Sequence, residues 1–400
     1  MASVLRLRDF RLLFVGRVVD QLGDAVTPAA LTLAVVQATG SSGALATVLA
    51  ATIVPRLLLL PLGGVVVDRL QPRRVALAAD LIRGAVQLFI GIQLLAGDIR
   101  IVHIAAAAAL GGAASAFAMP ATSPLVAGTV EADARQAANS LMGVARSATQ
   151  LAGPAVAGVL VFTAGAGWAF VLDAATFAFG AGTLALIRVR HVDVAHQSLR
   201  EDLLAGWTEV RSRAWYWTSL IGHATWNLAA GLIATLGPIV ALERLGGRGV
   251  WLAALEASAI GYLLGSVLAG RVRVSRPILV GNLALMTYTL PLLAFAFTAP
   301  AWLVVGCYGL AVGCLGFLNP TWATVVQQEI PPHVLARVTA YDWLVSLAAM
   351  PLGYALGPAL AGTVGFTWPL AGTAALVTLA LLVPVLVPDV RNVRLHPNAA

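Results

Sequence analysis

Apolar runs of about 20 residues, separated by short polar segments, recur along the whole chain, and each is long enough to cross roughly 30 Å of hydrocarbon. The pattern predicts twelve helical spans over 10–36, 43–66, 75–96, 101–126, 137–163, 166–187, 215–241, 248–270, 277–298, 301–326, 335–363 and 366–387. The longest polar stretch, 188–213, separates six spans from six. Within it Leu199, Leu203, Trp207 and Val210 share one helical face, so the stretch reads as a linker with an amphipathic surface helix. The expected organisation is an all-α integral membrane protein: a six-helix bundle over 1–187, the linker 188–213, a second bundle over 214–387 and a tail over 388–400.

The two sets of spans repeat. Gly63 and Arg69 recur as Gly265 and Arg271 at an offset of 202, Pro120 recurs as Pro320 at 200, and Gly153-Pro154 recurs as Gly357-Pro358 at 204. Three ordered matches near half the chain length imply two copies of one topology and parallel pseudo-symmetry, which places a substrate between the halves.

Composition narrows the class. Hydrophobic residues make up 59% of the 400 positions and charged residues 11%, far below the roughly 25% of soluble domains. The net charge of +7 raises the question of a nucleic-acid partner. All 25 basic residues are arginine, and most fall at the termini or in alternate loops. That is the positive-inside bias, which accounts for the charge without nucleic acid and places both termini in the cytoplasm. Cys307 and Cys314 stand seven residues apart on one span, about 10 Å along its axis, so they cannot pair with each other. No His/Cys spacing suggests a metal or a cofactor, and no nucleophile with a paired base suggests an enzyme.

Gly64-Val-Val-Val-Asp68-Arg69-Leu-Gln-Pro-Arg73-Arg74 forms the strongest local motif, in the short loop after the second span. Gly64 permits close helix approach, and an acid at a helix end can pair with Arg or face another helix's positive N-terminus. Such contacts would hold the inner side shut. The motif resembles the G-x-x-x-D-R-x-G-R-R loop of the major facilitator superfamily, with Gln71 and Pro72 in place of its usual Gly and first Arg. Gly153, Pro154 and Gly158 resemble that superfamily's antiporter motif, and Gly357 and Pro358 form the second-half copy. Pro frees a carbonyl and kinks a helix, so these positions are expected to act as hinges. With the opening segment and the MPATSPLV and AANSL segments, the chain is similar to the bacterial exporter branch that includes macrolide and enterobactin exporters. The resemblance implies twelve helices, alternating access and proton-driven export of a small molecule from a bacterial inner membrane, with a monomer sufficing and lipids as surroundings. Span four lacks the Arg of the family's R-x-x-Q-G motif, having Leu110-Gly111-Gly112 there.

Charges within spans cost roughly 2.5–3.5 kcal/mol each, so they mark function or a structural ion pair. Asp24 is the first candidate for carrying a proton, Asp20 the second, with Arg56 as partner. Asp80 and Arg83, and Arg146 and Asp342, read as structural pairs, while Asp173 and Glu256, in the outer halves of spans six and eight, are weaker candidates, each either a gate or a water-exposed acid. His223, Trp226, Asn227, Asn319 and Trp322 are candidates for a substrate cavity with apolar walls. The leading expectation is a proton-coupled exporter of amphipathic or drug-like compounds or siderophores. A lysolipid or metabolite carrier, a receptor or scaffold that has lost turnover, and a membrane-embedded enzyme are the alternatives.

Overall fold

The computed structural model describes residues 4–39, 42–97, 100–189 and 198–394. Among them all regular structure is helical. The helices are α1 (Arg8–Thr39), α2 (Ser42–Leu70), α3 (Pro72–Ala96), α4 (Ile101–Thr129), α5 (Arg135–Thr163), α6 (Ala166–Leu186), α7 (Leu199–Ser212) and α8 (Ala214–Arg244). They continue with α9 (Arg248–Ala269), α10 (Pro277–Met286), α11 (Thr289–Ala296), α12 (Ala301–Glu329), α13 (Leu335–Ala348), α14 (Met350–Val364), α15 (Thr367–Leu386) and α16 (Pro388–Asn392). Counting α10 with α11 and α13 with α14, ten spans among the described residues are long and apolar enough to cross a membrane. At 32 and 29 residues α1 and α5 are also long enough to cross a membrane.

Two expected spans are interrupted. The span predicted over 277–298 breaks between α10 and α11, where Thr287 and Tyr288 turn to short-range bonds to Ala284 and Leu285. Pro291 explains the break, since its ring excludes the carbonyl of Thr287 from a normal helical bond. The span predicted over 335–363 breaks at Ala349, just before Pro351 at the start of α14. Gly357 and Pro358, expected as a hinge, lie inside continuous α14, so the interruption falls two turns earlier. Gly153 and Pro154 likewise lie within continuous α5.

Contacts group the chain into two compact units. One comprises Met1–Ala138, Ala148–Gly206 and Ile330–Ala340, and the other Asn139–Ser147, Trp207–Glu329 and Tyr341–Ala400. In the first, α2 packs on α4, and α1 and α3 both pack on α6. In the second, α9 packs on α12, α14 and α15 pack on α8, and α10 and α11 pack between α12 and α15. The sequence repeat has a physical counterpart here. A Cβ on Gly63 would strike the Ala116 carbonyl of α4, and a Cβ on Gly265 would strike the Gly313 carbonyl of α12. Helices this close exclude any side chain at the crossing, so glycine recurs at the matching position of each copy.

Part of the predicted linker, 190–197, lies outside the described residues, as do 395–400 of the predicted tail. The linker helix is α7, but its buried face differs from the expected one. Asp202, Gly206 and Val210 are buried, whereas Leu199 and Trp207 are exposed. A carboxylate at the centre of the buried face overrides the apolar stripe, because it finds two guanidinium partners.

Candidate functional site

Three helices of the first unit bring a buried charge network together. Arg17, Asp20, Asp24 and Thr27 recur along one face of α1, Asp80, Arg83 and Gln87 along one face of α3, and Asp173 and Thr176 stand on α6. Arg17 Nη1 lies 3.1 Å from Asp20 Oδ2 and 3.2 Å from Asp80 Oδ2, and all three residues are buried. Arg83 Nη2 donates to Asp24 Oδ1 at 2.5 Å, and its guanidinium lies 4.1 Å over the Phe177 ring. Small residues leave room for these groups. A Cβ on Gly180 would collide with the Asp20 carboxylate, and one on Gly23 would collide with Asp173 and Thr176.

The four carboxylates are not equivalent. Asp20, Asp24 and Asp80 each meet a guanidinium. Asp173 meets neutral donors: Gln87 Nε2 at 2.6 Å and Thr27 Oγ1 at 2.8 Å on Oδ2, and Thr176 Oγ1 at 3.3 Å on Oδ1. It is also fully buried, while the Asp24 side chain is 44% exposed. Arg56, expected as the partner of Asp24, instead keeps a buried Nε with no hydrogen-bond partner among the described residues. Arg83 takes that place because it stands one turn from Asp80 on α3, facing α1. The expected Asp80–Arg83 pairing is therefore split, with Asp80 held by Arg17.

A second constellation lies at the loop motif. Asp68 accepts hydrogen bonds from Arg337 Nε at 2.7 Å and from the backbone N–H groups of Ala336 and Arg337, both at 3.3 Å. One carboxylate thus meets both a guanidinium and the N-terminal turn of α13. Arg337 Nη1 continues to Asp202 Oδ1 at 2.9 Å, and Arg69 Nε reaches Asp202 Oδ2 at 2.7 Å. The resulting chain runs Asp68, Arg337, Asp202, Arg69. Gly64 lets α2 approach this point, since a Cβ there would lie 2.8 Å from Arg337 Cα. Arg73 donates to the carbonyls of Ile187 and Ala185 at the end of α6, while Arg74 is exposed. Asp202 was not among the sequence candidates; its only local signal is its place in the first turn of a linker helix.

In the second unit the cavity candidates divide. His223 and Trp322 come together, ring centroids 4.7 Å apart. Trp226 packs on Tyr288 at 4.8 Å, and Asn319, exposed, donates to the Tyr262 hydroxyl at 2.9 Å. Asn227 turns back to the His223 carbonyl of its own helix. Asp342, read as a partner of Arg146, instead accepts from Trp322 Nε1 at 2.6 Å, Tyr216 Oη at 3.1 Å and Ser346 Oγ at 3.2 Å. The aromatic donors of α8 and α12 reach it first. Gly153 of α5 meets Ala25, and Gly357 of α14 meets Thr235, so both serve as close-packing positions. Among the described residues no group of three or more His, Cys, Asp or Glu side chains could hold a metal ion.

Long apolar helices that carry carboxylates and guanidiniums on their mutual faces define a multi-pass membrane transporter. The family model of the Major Facilitator Superfamily matches residues 13–346, and the chain belongs to that superfamily. It is a transporter and not an enzyme. The multidrug efflux pump Tap of Mycobacterium tuberculosis (strain ATCC 25618 / H37Rv) is 27% identical, covering 94% of this chain and 93% of its own. Tap of Mycolicibacterium fortuitum is 25% identical over 93% and 94% of the two chains. Among solved structures, a bacterial homologue of the iron transporter ferroportin, in an outward-facing state, superposes with a TM-score of 0.77 at 20% identity. That match covers 95% of this chain and 99% of the other, and it shows the shared fold.

Proposed function

We propose that this chain is a proton-coupled exporter of amphipathic, drug-like compounds that works by alternating access in a bacterial cytoplasmic membrane, with both termini inside. One observation carries the reading: four carboxylates and two guanidiniums share the faces of α1, α3 and α6, and Asp173 is the carboxylate without a guanidinium. An ionised carboxylate buried without a counter-charge costs several kcal/mol, and a bound proton removes that cost. Asp173 is accordingly the proton carrier in the closed pocket, and the open, Arg83-paired Asp24 is the exchange point with water. The named activity of the Tap pumps supports the substrate class. The aromatic side chains of α8 and α12 supply the apolar walls such compounds need. The chain Asp68, Arg337, Asp202, Arg69 is the latch that must open in each cycle.

Inverted membrane vesicles loaded by a fluorescent amphipathic dye test the reading. Dye accumulation should collapse with a protonophore. Asp173→Asn should abolish proton-driven accumulation while sparing dye exchange at equal concentration on both sides, because a neutral amide keeps the fold and loses the proton. Accumulation by Asp173→Asn at the wild-type level would sink the assignment, and accumulation insensitive to the protonophore would sink proton coupling itself.

A further inference from the structure

Two of the three arginines of the loop motif have partners inside the protein; the Arg74 side chain has none among the described residues. Arg69 binds Asp202, and Arg73 binds the end of α6. The Arg74 side chain is exposed and makes no ion pair or hydrogen bond among the described residues. Beside it a groove of about 380 Å³ runs between α2, α3 and α4. Its walls include Leu70, Val75, Ala78, Ile82 and Phe117, with Arg74 the charged member of the lining.

The position of the groove identifies its surroundings. On α3, Arg74, Val75, Ala78 and Ile82 occupy one face, and at about 100° per residue that face is opposite the Asp80, Arg83 and Gln87 stripe. The polar stripe is turned to α1 and α6, so the groove is turned away from the charge network. Leu70 is 57% exposed and Ile82 41%, values that suit a surface bathed in hydrocarbon. Arg74 belongs to the first turn of α3 and Ile82 lies eight residues on, about 12 Å deeper along the helix axis. A cation at the helix end above an apolar trough that descends into the span matches a phospholipid: phosphate above, acyl chain below. Charge complementarity selects an anionic headgroup, whose net charge Arg74 can neutralise without competition from a bound partner.

We propose that this groove is a binding site for one anionic phospholipid, with its phosphate on Arg74 and an acyl chain along Val75, Ala78 and Ile82. The site is independent of what the transporter carries. Arg74 adjoins Arg73 and the α2–α3 turn, so an occupied site also braces the end of α2 that carries Asp68 and Arg69.

Native mass spectrometry of the delipidated full-length protein, titrated with dioleoyl phosphatidylglycerol or dioleoyl phosphatidylcholine, tests the site. The first phosphatidylglycerol should bind roughly fivefold tighter than the first phosphatidylcholine, the effect expected of one interfacial arginine. Arg74→Gln should equalise the two. Ala78→Trp, at an exposed position where the ring fills the trough, should weaken both. Arg276→Gln, which removes an exposed arginine elsewhere, should leave the ratio unchanged. Equal binding of the two lipids by the wild-type protein, or a preference that survives Arg74→Gln, would overturn the headgroup assignment. Wild-type binding by Ala78→Trp would overturn the chain assignment. Displacement of the first lipid by a drug-like amphiphile in the wild-type protein, absent in Ala78→Trp, would make the groove a substrate portal and overturn the lipid site as well.

Discussion

Gln71 holds the backbone at φ 77°, ψ 126°, a conformation that a residue with a Cβ adopts only under strain. The turn cannot relax, because Leu70 ends α2 and Pro72 opens α3 immediately on either side. Glycine has no such penalty, so Gln71→Gly should stabilise the protein by about 1 kcal/mol, offset in part by the freer unfolded chain. The midpoint of thermal unfolding in detergent should rise by a degree or more; a fall would mean that the Gln71 side chain contributes more than its strain costs. At this scale the sequence is informative about identity and silent about partners. Spacing alone marks Asp68 as an acid at the end of an apolar run. No local pattern marks Arg337, 269 residues away, as the guanidinium that meets it. Asp173 is similarly plain as an intramembrane acid, yet its distinction from Asp20, Asp24 and Asp80 lies in which donors three separate helices bring to it.

Helix boundaries and interruptions follow from short-range chemistry, and that part of the fold is legible. Long apolar runs mark the spans, and Pro291 and Pro351 already stand in the sequence where α10/α11 and α13/α14 divide. The face that each helix buries is less legible, as α7 illustrates. Its apolar stripe points to Leu199 and Trp207, but tertiary charge pairing selects Asp202. Local chemistry does fix where α7 begins. Ser198 N donates to Glu201 Oε2 at 2.8 Å and Glu201 N donates to Ser198 Oγ at 3.2 Å, a reciprocal capping box. The hydrogen bonds from Ser198 hold the Glu201 carboxyl below its ordinary range. With the folded-state value depressed, the cap is complete above the unfolded-state pKa of about 4.3 and weakens as pH falls through the folded-state value. Ser198→Ala should therefore fray the first turn of α7, speeding amide exchange at Glu201–Leu203 about fivefold at neutral pH. Unchanged exchange there would show that the Asp202 ion pairs alone set the helix start.

Across the whole molecule, sequence order and contact order part company at one place. Residues 330–340 follow α12 of the second half, yet they belong to the compact unit built from 1–138 and 148–206. Arg337 is the reason: it is 5% exposed, and both of its carboxylate partners, Asp68 and Asp202, lie in that unit. A buried guanidinium with two carboxylates tolerates the loss of either better than the loss of both. Asp68→Asn or Asp202→Asn alone should cost about 1–3 kcal/mol, since a charge-assisted hydrogen bond is weakened while one ion pair remains. Their combination leaves the guanidinium buried with the His333 carbonyl and two amides, an uncompensated charge worth about 3–5 kcal/mol on its own. Amide exchange over residues 335–340, measured in lipid nanodiscs, should accelerate by about tenfold in each single variant and by more than the product in the double variant. Adding Arg337→Gln to the double variant should then restore part of the protection, because it removes the stranded charge itself. Additive single effects with no recovery from Arg337→Gln would mean that the backbone bonds of Asp68 to the first turn of α13, not the charge chain, hold this segment in place.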